Sequence, residues 1–202
     1  MLRIARGALP SRVWRRTLTT KTENPPYHGP LAGPARKLKI LSLGAFGMVT
    51  SMTPIIMMVD STMPLNARIV MCAALIGTSG ISTAAVGWVG APYVSTLRQR
   101  GDEMLEMETS TLFLQKRVTR VYDWRMFLKG TERAFAKWEL AEEVARRPGE
   151  ETQNGEETVA ETVDAGGRIV GRWIVRWGTD GRGQCRGEGQ IVRYFNVHEE
   201  LL

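Results

Sequence analysis

The stretch Pro34–Asp60, PARKLKILSLGAFGMVTSMTPIIMMVD, carries three basic residues at its start and then no charge until its last letter. The chain as a whole is mildly hydrophilic, with mean hydropathy -0.18, so the segment is out of character with its surroundings. Ile40 to Val59 supplies about twenty uncharged residues, and a helix of that length spans about 30 Å, the thickness of a bilayer's hydrocarbon core. A second uncharged run, Ile69–Leu97, follows after a short gap, and its portion Ile69–Val89 is again long enough to cross. Two buried helices of a soluble core are the alternative. Amphipathic packing of that kind predicts a polar stripe at helical spacing. The polar positions here are instead small hydroxyls that can bond to their own helix: Ser42, Thr50, Ser51 and Thr53, then Thr78, Ser79, Ser82 and Thr83. The reading is therefore a transmembrane hairpin over 40–97, with spans at about 40–59 and 69–89.

The linking stretch DSTMPLNAR, Asp60–Arg68, is short and broken by Pro64. A loop this short makes the helices antiparallel and puts both flanks in one compartment. Arg36, Lys37 and Lys39 precede the first span, and Arg98 and Arg100 follow the second, so the positive charge that sets topology lies on the side of both termini. Within the spans, Gly44, Gly47 and Ser51 on one helix and Ala73, Gly77, Gly80 and Ala84 on the other are small enough for close helix approach. One such face is expected to pack the hairpin on itself; another could take a partner's helix or a second copy. Pro54 is expected to kink the first helix, with Thr50 or Ser51 satisfying the freed carbonyl.

The first residues, MLRIARGALPSRVWRRTLTTKT, hold Arg3, Arg6, Arg12, Arg15, Arg16 and Lys21 and no acid before Glu23. Arginine-rich, hydroxyl-bearing and acid-poor composition is that of a mitochondrial transit peptide, whereas arginines interrupt every apolar run a secretory signal would need. A basic tail without a targeting role is the alternative. The expected organisation is a presequence over 1–22, a matrix-side basic linker over 23–39, and inner-membrane spans with both termini in the matrix. The formal net charge of +6 comes largely from that presequence, so the pI of about 9.7 does not argue for nucleic acid. Cys72 lies in the second span and Cys185 in a glycine-rich segment, with no metal-ligand spacing between them.

After Gly101 and Asp102, which mark a break, the residues turn β-branched and aromatic from Thr109 onward. Val118, Arg120, Tyr122 and Trp124 alternate with Thr119, Val121 and Asp123, as a strand requires. Ala134–Leu140 is a further strand or edge. In RIVGRWIVRWG, Ile169, Trp173, Val175 and Trp177 fall on one face and Arg168, Arg172 and Arg176 on the other, predicting one buried and one basic sheet face. The intervening acidic stretch, about 142–166, is read as a disordered insertion, poor in large apolar groups. GTDGRGQCRGEGQ reads as a flexible hairpin loop, since no strand-then-helix context with a Lys-Ser or Lys-Thr pair supports a phosphate cradle. IVRYFNVHEELL supplies a last strand. The fold class expected is a membrane α+β protein: a two-helix hairpin followed by a small antiparallel β-rich matrix domain over 101–202.

For chemistry the sequence offers two histidines, His28 and His198, neither with an evident partner, and no metalloprotease, redox-cysteine or nucleophile-elbow motif. No charged residue lies deep in either span. The expectation is a non-enzyme with no cofactor, no metal, no nucleic acid and no small-molecule substrate, with Asp123 and Trp124 of VYDW explained by a strand-end turn.

YHGPLAGPARKLKILSLG leading into a span with Pro54, a short loop, ISTAAVGWVGAPYVSTLR closing the second span, and METSTLF opening the matrix part together resemble the transmembrane protein seventy family of the mitochondrial inner membrane. The resemblance covers about Tyr27 to Trp138. It implies a biogenesis factor that associates with hydrophobic subunits of ATP synthase or respiratory-chain complex I and multimerises, without catalytic residues. The acidic stretch and the Gly/Arg-rich end depart from animal members, which leaves the client open. Partners on this reading are inner-membrane lipid, those hydrophobic subunits, and a possible second copy. A permanent accessory subunit and an oligomeric channel or carrier are the competing functions.

Overall fold

The computed structural model describes residues 26–59, 62–146 and 156–198; the expected presequence lies outside them. A two-residue strand β1 (Tyr27–His28) precedes two long helices, α1 (Ala32–Met58) and α2 (Leu65–Gly90). Strands β2 (Thr96–Arg100), β3 (Met104–Ser110) and β4 (Lys116–Val121) follow. A one-turn helix α3 (Trp124–Phe127) leads to three short strands, β5 (Leu128–Gly130), β6 (Trp138–Leu140) and β7 (Glu143–Ala145). The chain ends in β8 (Glu156–Asp164), β9 (Ile169–Trp177), β10 (Arg182–Gly189) and β11 (Tyr194–Phe195). Two long apolar helices followed by an antiparallel sheet domain are what the apolar runs and the alternation predict.

Helix α1, at 27 residues, is longer than its uncharged run, whereas α2, at 26 residues, starts before the second run and ends short of it. The basic residues of the expected linker, 23–39, are not a linker: Tyr27 and His28 pair with Leu97 and Thr96 of β2, and Arg36, Lys37 and Lys39 already lie in α1. Gly29 permits the sharp entry into the helix, because a Cβ there would stand 2.6 Å from the Val94 carbonyl oxygen and the Tyr93 hydroxyl. At the far end Pro64 opens α2, where its missing N–H costs nothing. Arg68, in the first turn of α2, donates to the carbonyls of Val59 at 2.7 Å and Met63 at 3.3 Å, a cation placed at the negative end of α1. Pro54 sits inside α1, and the neighbouring hydroxyls of Thr50, Ser51 and Thr53 donate to Phe46, Met48 and Val49. None of these bonds serves the Thr50 carbonyl that Pro54 leaves without an amide, contrary to expectation.

The main sheet has eight strands in the order β1-β2-β3-β4-β8-β9-β10-β7, and every pairing in it is antiparallel. A second sheet, β11-β6-β5, provides part of the cover for one face. Between them lies the core, with Leu97, Leu105, Met107, Val121, Ala160, Trp173, Val175 and Trp177 from the main sheet and Phe127, Leu140 and Phe195 from the cover. Asp123 caps α3 by accepting from the Met126 amide, so VYDW closes a strand and starts a helix. Gly101, at φ 69°, makes the β2–β3 turn.

Two expectations fail here. The acidic stretch 142–166 is largely ordered: Glu143–Ala145 and Glu156–Asp164 are strands, and β8 sits between β4 and β9 in the sheet; 147–155 lies outside the described residues. Its acids find basic partners across the strands. Directly opposed residues run Arg98, Glu106, Arg120, Glu161, Arg172, Glu188 over six consecutive strands, alternating in sign. Glu106 bonds both Arg100 (3.2 Å) and Arg120 (2.9 Å), and Glu161 meets Arg172 at 3.5 Å. The outer face is thus a charge-alternating surface, not the basic one expected from Arg168, Arg172 and Arg176. Opposite charges facing across strands stabilise the register.

The glycine-rich segment is likewise a strand and not a loop. Gly183 lies opposite Trp177 and Gly187 opposite Trp173, and a Cβ at either would come within 2.8 Å of the facing indole ring. The glycines leave room for the two tryptophan rings, whose burial compensates for the missing side chains of β10. Only Gly178–Gly181 turns the chain, with Gly181 at φ 74°.

Candidate functional site

Among the described residues, no three His, Cys, Asp or Glu side chains gather in a metal-binding arrangement. An open cleft of about 580 Å³ at the β7–β10 edge is lined by charged residues such as Glu143, Arg176 and Asp180 and holds no histidine or cysteine. Cys185 lies half-buried on β10, and desolvation pushes its thiol up to about 11, which keeps it protonated and poorly nucleophilic. The surface that distinguishes this chain is instead the helical hairpin and its junction with the sheet.

Helices α1 and α2 pack against each other through a narrow seam. Cys72 and Thr83 are buried there, the Thr83 hydroxyl donates to the Ser42 carbonyl at 3.2 Å, and the Phe46 ring edge rests 3.5 Å from where a Cβ of Gly80 would be. Elsewhere the helices face outward. Within their most apolar stretches, none of α1 and 11% of α2 is buried by the rest of the chain, and both are long and apolar enough to cross a membrane.

The small residues singled out from the sequence divide unevenly across this seam. Gly80 belongs to it. Gly44, Gly47 and Gly77 do not: a Cβ at any of them would meet nothing within 4 Å, and Ser51, Ala73 and Ala84 are also exposed. The expectation that one small-residue face packs the hairpin on itself is corrected accordingly. The self-packing face is built from Ser42, Phe46, Cys72, Gly80 and Thr83, and most of the small residues point away from it.

The five residues expected to set topology also divide. Arg36, Lys37 and Arg98 are exposed, while Arg100 binds Glu106 across the sheet. Lys39 is different, being only 2% exposed. Its ammonium donates to the Gly90 carbonyl (3.1 Å), the Ser110 carbonyl (2.8 Å) and the Ser110 hydroxyl (3.0 Å). Three donors thus meet three acceptors, and one of them is the last carbonyl of α2, where a cation is favoured. Lys39 therefore ties α1, the end of α2 and the end of β3 together. Gly90 leaves room for it, since a Cβ there would lie 2.9 Å from Lys39 Cε. The sequence signalled a charge at this position but not its burial, because Ser110 is remote in the chain.

A second set of bonds fixes the hairpin to the sheet domain. The Tyr93 hydroxyl accepts from the Leu31 amide at 2.7 Å, and Val94 and Asn196 are bonded through the backbone, as are Asn196 and Pro92. Desolvation raises the Tyr93 hydroxyl above its ordinary pKa, and the Leu31 amide opposes that shift. The buried Tyr27 hydroxyl accepts from the His198 amide at 3.2 Å, so the two ends of the described chain close on one another.

No family model and no solved structure matches this chain. It is similar to an uncharacterized protein of Schizosaccharomyces pombe, 26% identical over 95 residues, which cover 46% of this chain. The matched part spans 53% of that relative, about half its length.

Proposed function

We propose that the protein spans the mitochondrial inner membrane twice through α1 and α2 and, as an assembly factor, holds hydrophobic subunits of ATP synthase or a respiratory-chain complex until their partners arrive. The observation that carries this reading is the outward placement of Gly44, Gly47 and Gly77, with open space over each, on helices whose apolar faces the chain itself leaves uncovered. In lipid, association of helices depends on close backbone approach, and exposed glycines provide it. The resemblance of Tyr27–Trp138 to the transmembrane protein seventy family points the same way, and the arginine-rich first residues support mitochondrial import. On this reading the sheet domain lies in the matrix with both termini, and the opposite ends of α1 and α2 face the intermembrane space.

Pulse-labelling of newly made mitochondrial membrane subunits, followed by capture of the tagged protein, tests the proposal. Label that is captured early and lost during the chase supports transient holding of a client. Label that stays bound at constant ratio marks a permanent accessory subunit, and absence of any captured membrane subunit sinks both.

A further inference from the structure

We propose that the pocket where the sheet domain meets the end of α2 binds the phosphate of an anionic phospholipid headgroup, with Arg117 and Arg133 as its ligands and Phe113 and Phe135 as anchors in the bilayer. The inference rests on the membrane-spanning reading and not on the assembly role. The pocket, about 240 Å³, begins at Ala91 and Pro92, directly after the last residue of α2, which places it where headgroups lie if α2 spans a bilayer.

Arg117, Arg133 and Arg193 all line it. Arg193 is already neutralised by Glu142 and Glu139. Arg117 and Arg133 form no salt bridge among the described residues: Asp164, directly opposite Arg117 on β8, is bridged to Arg168 instead. Arg117 donates to the Gln190 side-chain oxygen at 2.6 Å, and Arg133 stacks over the Tyr194 ring at 3.9 Å. Stacking occupies the face of a guanidinium and leaves its in-plane N–H groups free, in the fork geometry that matches phosphate oxygens.

The walls around the pocket are suited to an interface. Trp88, on the last turns of α2, is 55% exposed and meets Phe135 edge-on at 6.1 Å, with Arg133 above the same ring at 5.9 Å. Phe135 is 53% and Phe113 72% exposed, at the tips of two loops that flank α2, and Leu112 beside Phe113 packs over Gly87. Among the described residues, the non-glycine positions held at positive φ are Leu114 and Phe135, one in each of these loops. An aromatic belt with arginines just above it is the chemistry of a headgroup layer, and basic pockets beside membrane helices take anionic headgroups.

The test uses the full chain purified in detergent and mixed with micelles containing phosphatidylglycerol or phosphatidylcholine, with retained lipid counted by native mass spectrometry. Phosphatidylglycerol should be retained over phosphatidylcholine by about thirtyfold, as about 1 kcal/mol for each of the two arginines near an anionic surface implies. The preference should vanish in R117Q/R133Q and survive in R176Q, which alters an exposed arginine elsewhere on the sheet. Arg133 is exposed, so R133Q alone preserves the fold and must by itself lower the preference several-fold. Equal retention of both lipids, an unchanged preference in R133Q, or displacement of the lipid by inorganic phosphate at equal concentration would overturn the proposal, the last in favour of a soluble phosphate ligand. Alkaline carbonate extraction of the same protein from vesicles separates the two readings: a chain that resists extraction but shows no lipid preference refutes this site and leaves the spanning helices standing.

Discussion

The Lys39 ammonium reaches Ser110, 71 positions away in the sequence, and donates to both its carbonyl and its hydroxyl. This links the first long helix to the third strand of the sheet domain, and the added bond to Gly90 brings in the end of the second helix. The hairpin and the sheet are thereby held in one orientation at a point buried from solvent.

Replacing Lys39 by Met should weaken this junction without changing the direction in which the hairpin inserts. Three acceptors would lose their donor, at about 1–3 kcal/mol for each buried group left unsatisfied. Limited proteolysis should then cut faster within the connection from Ala91 to Ser95, while glycosylation or protease mapping of topology stays as in the wild type. Reversed topology in K39M would mean that the residue acts chiefly as a flanking charge.

Glycine substitutions should separate fold from partnership. Gly171→Ala would drive a Cβ into the Ile191 amide nitrogen and the Gln190 carbonyl carbon, both backbone, so stability should fall by about 1–3 kcal/mol or more. Gly44→Leu, Gly47→Leu and Gly77→Leu meet open space, so thermal unfolding in detergent should be unaltered. The same three changes should reduce recovery of captured membrane subunits. If they unfold the protein, the outward placement of these glycines is wrong.

Glu106 bonds Arg100 and Arg120 and is almost fully buried between them. Glu106→Gln would leave two guanidinium groups without their shared carboxylate in the middle of the alternating row. A loss of about 1–3 kcal/mol is expected from denaturant unfolding, larger than the effect of Arg98→Gln at the exposed end of the same row. Equal effects at the two sites would show that the row is an assembly of independent surface pairs.

Cys185 provides a pH test. Burial raises its thiol to about 11, above the ordinary value of 9.0, with the Trp173 indole and the Lys129 ammonium opposing the shift. Because the folded value is raised, the contribution to stability is fully present below the unfolded pKa and is lost as pH rises from about 9 to about 11. Alkylation of Cys185 by iodoacetamide, followed by peptide mass spectrometry, should be slow at pH 8, rise about tenfold per pH unit and level off only near pH 11. Rapid labelling at pH 8 would show an accessible thiolate.

The hairpin and the heart of the sheet were legible because their signals are local. Uncharged length marked α1 and α2, and strict alternation marked Trp173, Val175 and Trp177 on the buried face of β9, although Ile169, expected with them at the start of the strand, is exposed. The order of β8 was not legible. Glu156, Glu157 and Glu161 look solvent-seeking in isolation, and only the register opposite Arg176, Val175 and Arg172 shows why a strand holds them. The strand at Gly183 and Gly187 was hidden for a related reason, since glycine reads as a loop until the facing tryptophan rings are seen. Lys39 repeats the lesson at the candidate site: its charge was visible and its acceptors, supplied by Gly90 and Ser110, were not. The outward direction of Gly44, Gly47 and Gly77 depended on which helix face found Thr83 and Cys72, a matter of packing between segments that spacing alone leaves open.

The central claim, an inner-membrane factor that acts during assembly, is tested most directly by blue-native complexome profiling of mitochondria carrying the tagged protein, alongside mitochondria lacking it. ATP synthase and complex I subunits are followed in the same lanes. The account predicts that the protein migrates in small assemblies apart from the mature complexes and that its loss depletes one of them. Stoichiometric co-migration with a finished complex, or unchanged levels of both complexes in its absence, would contradict it.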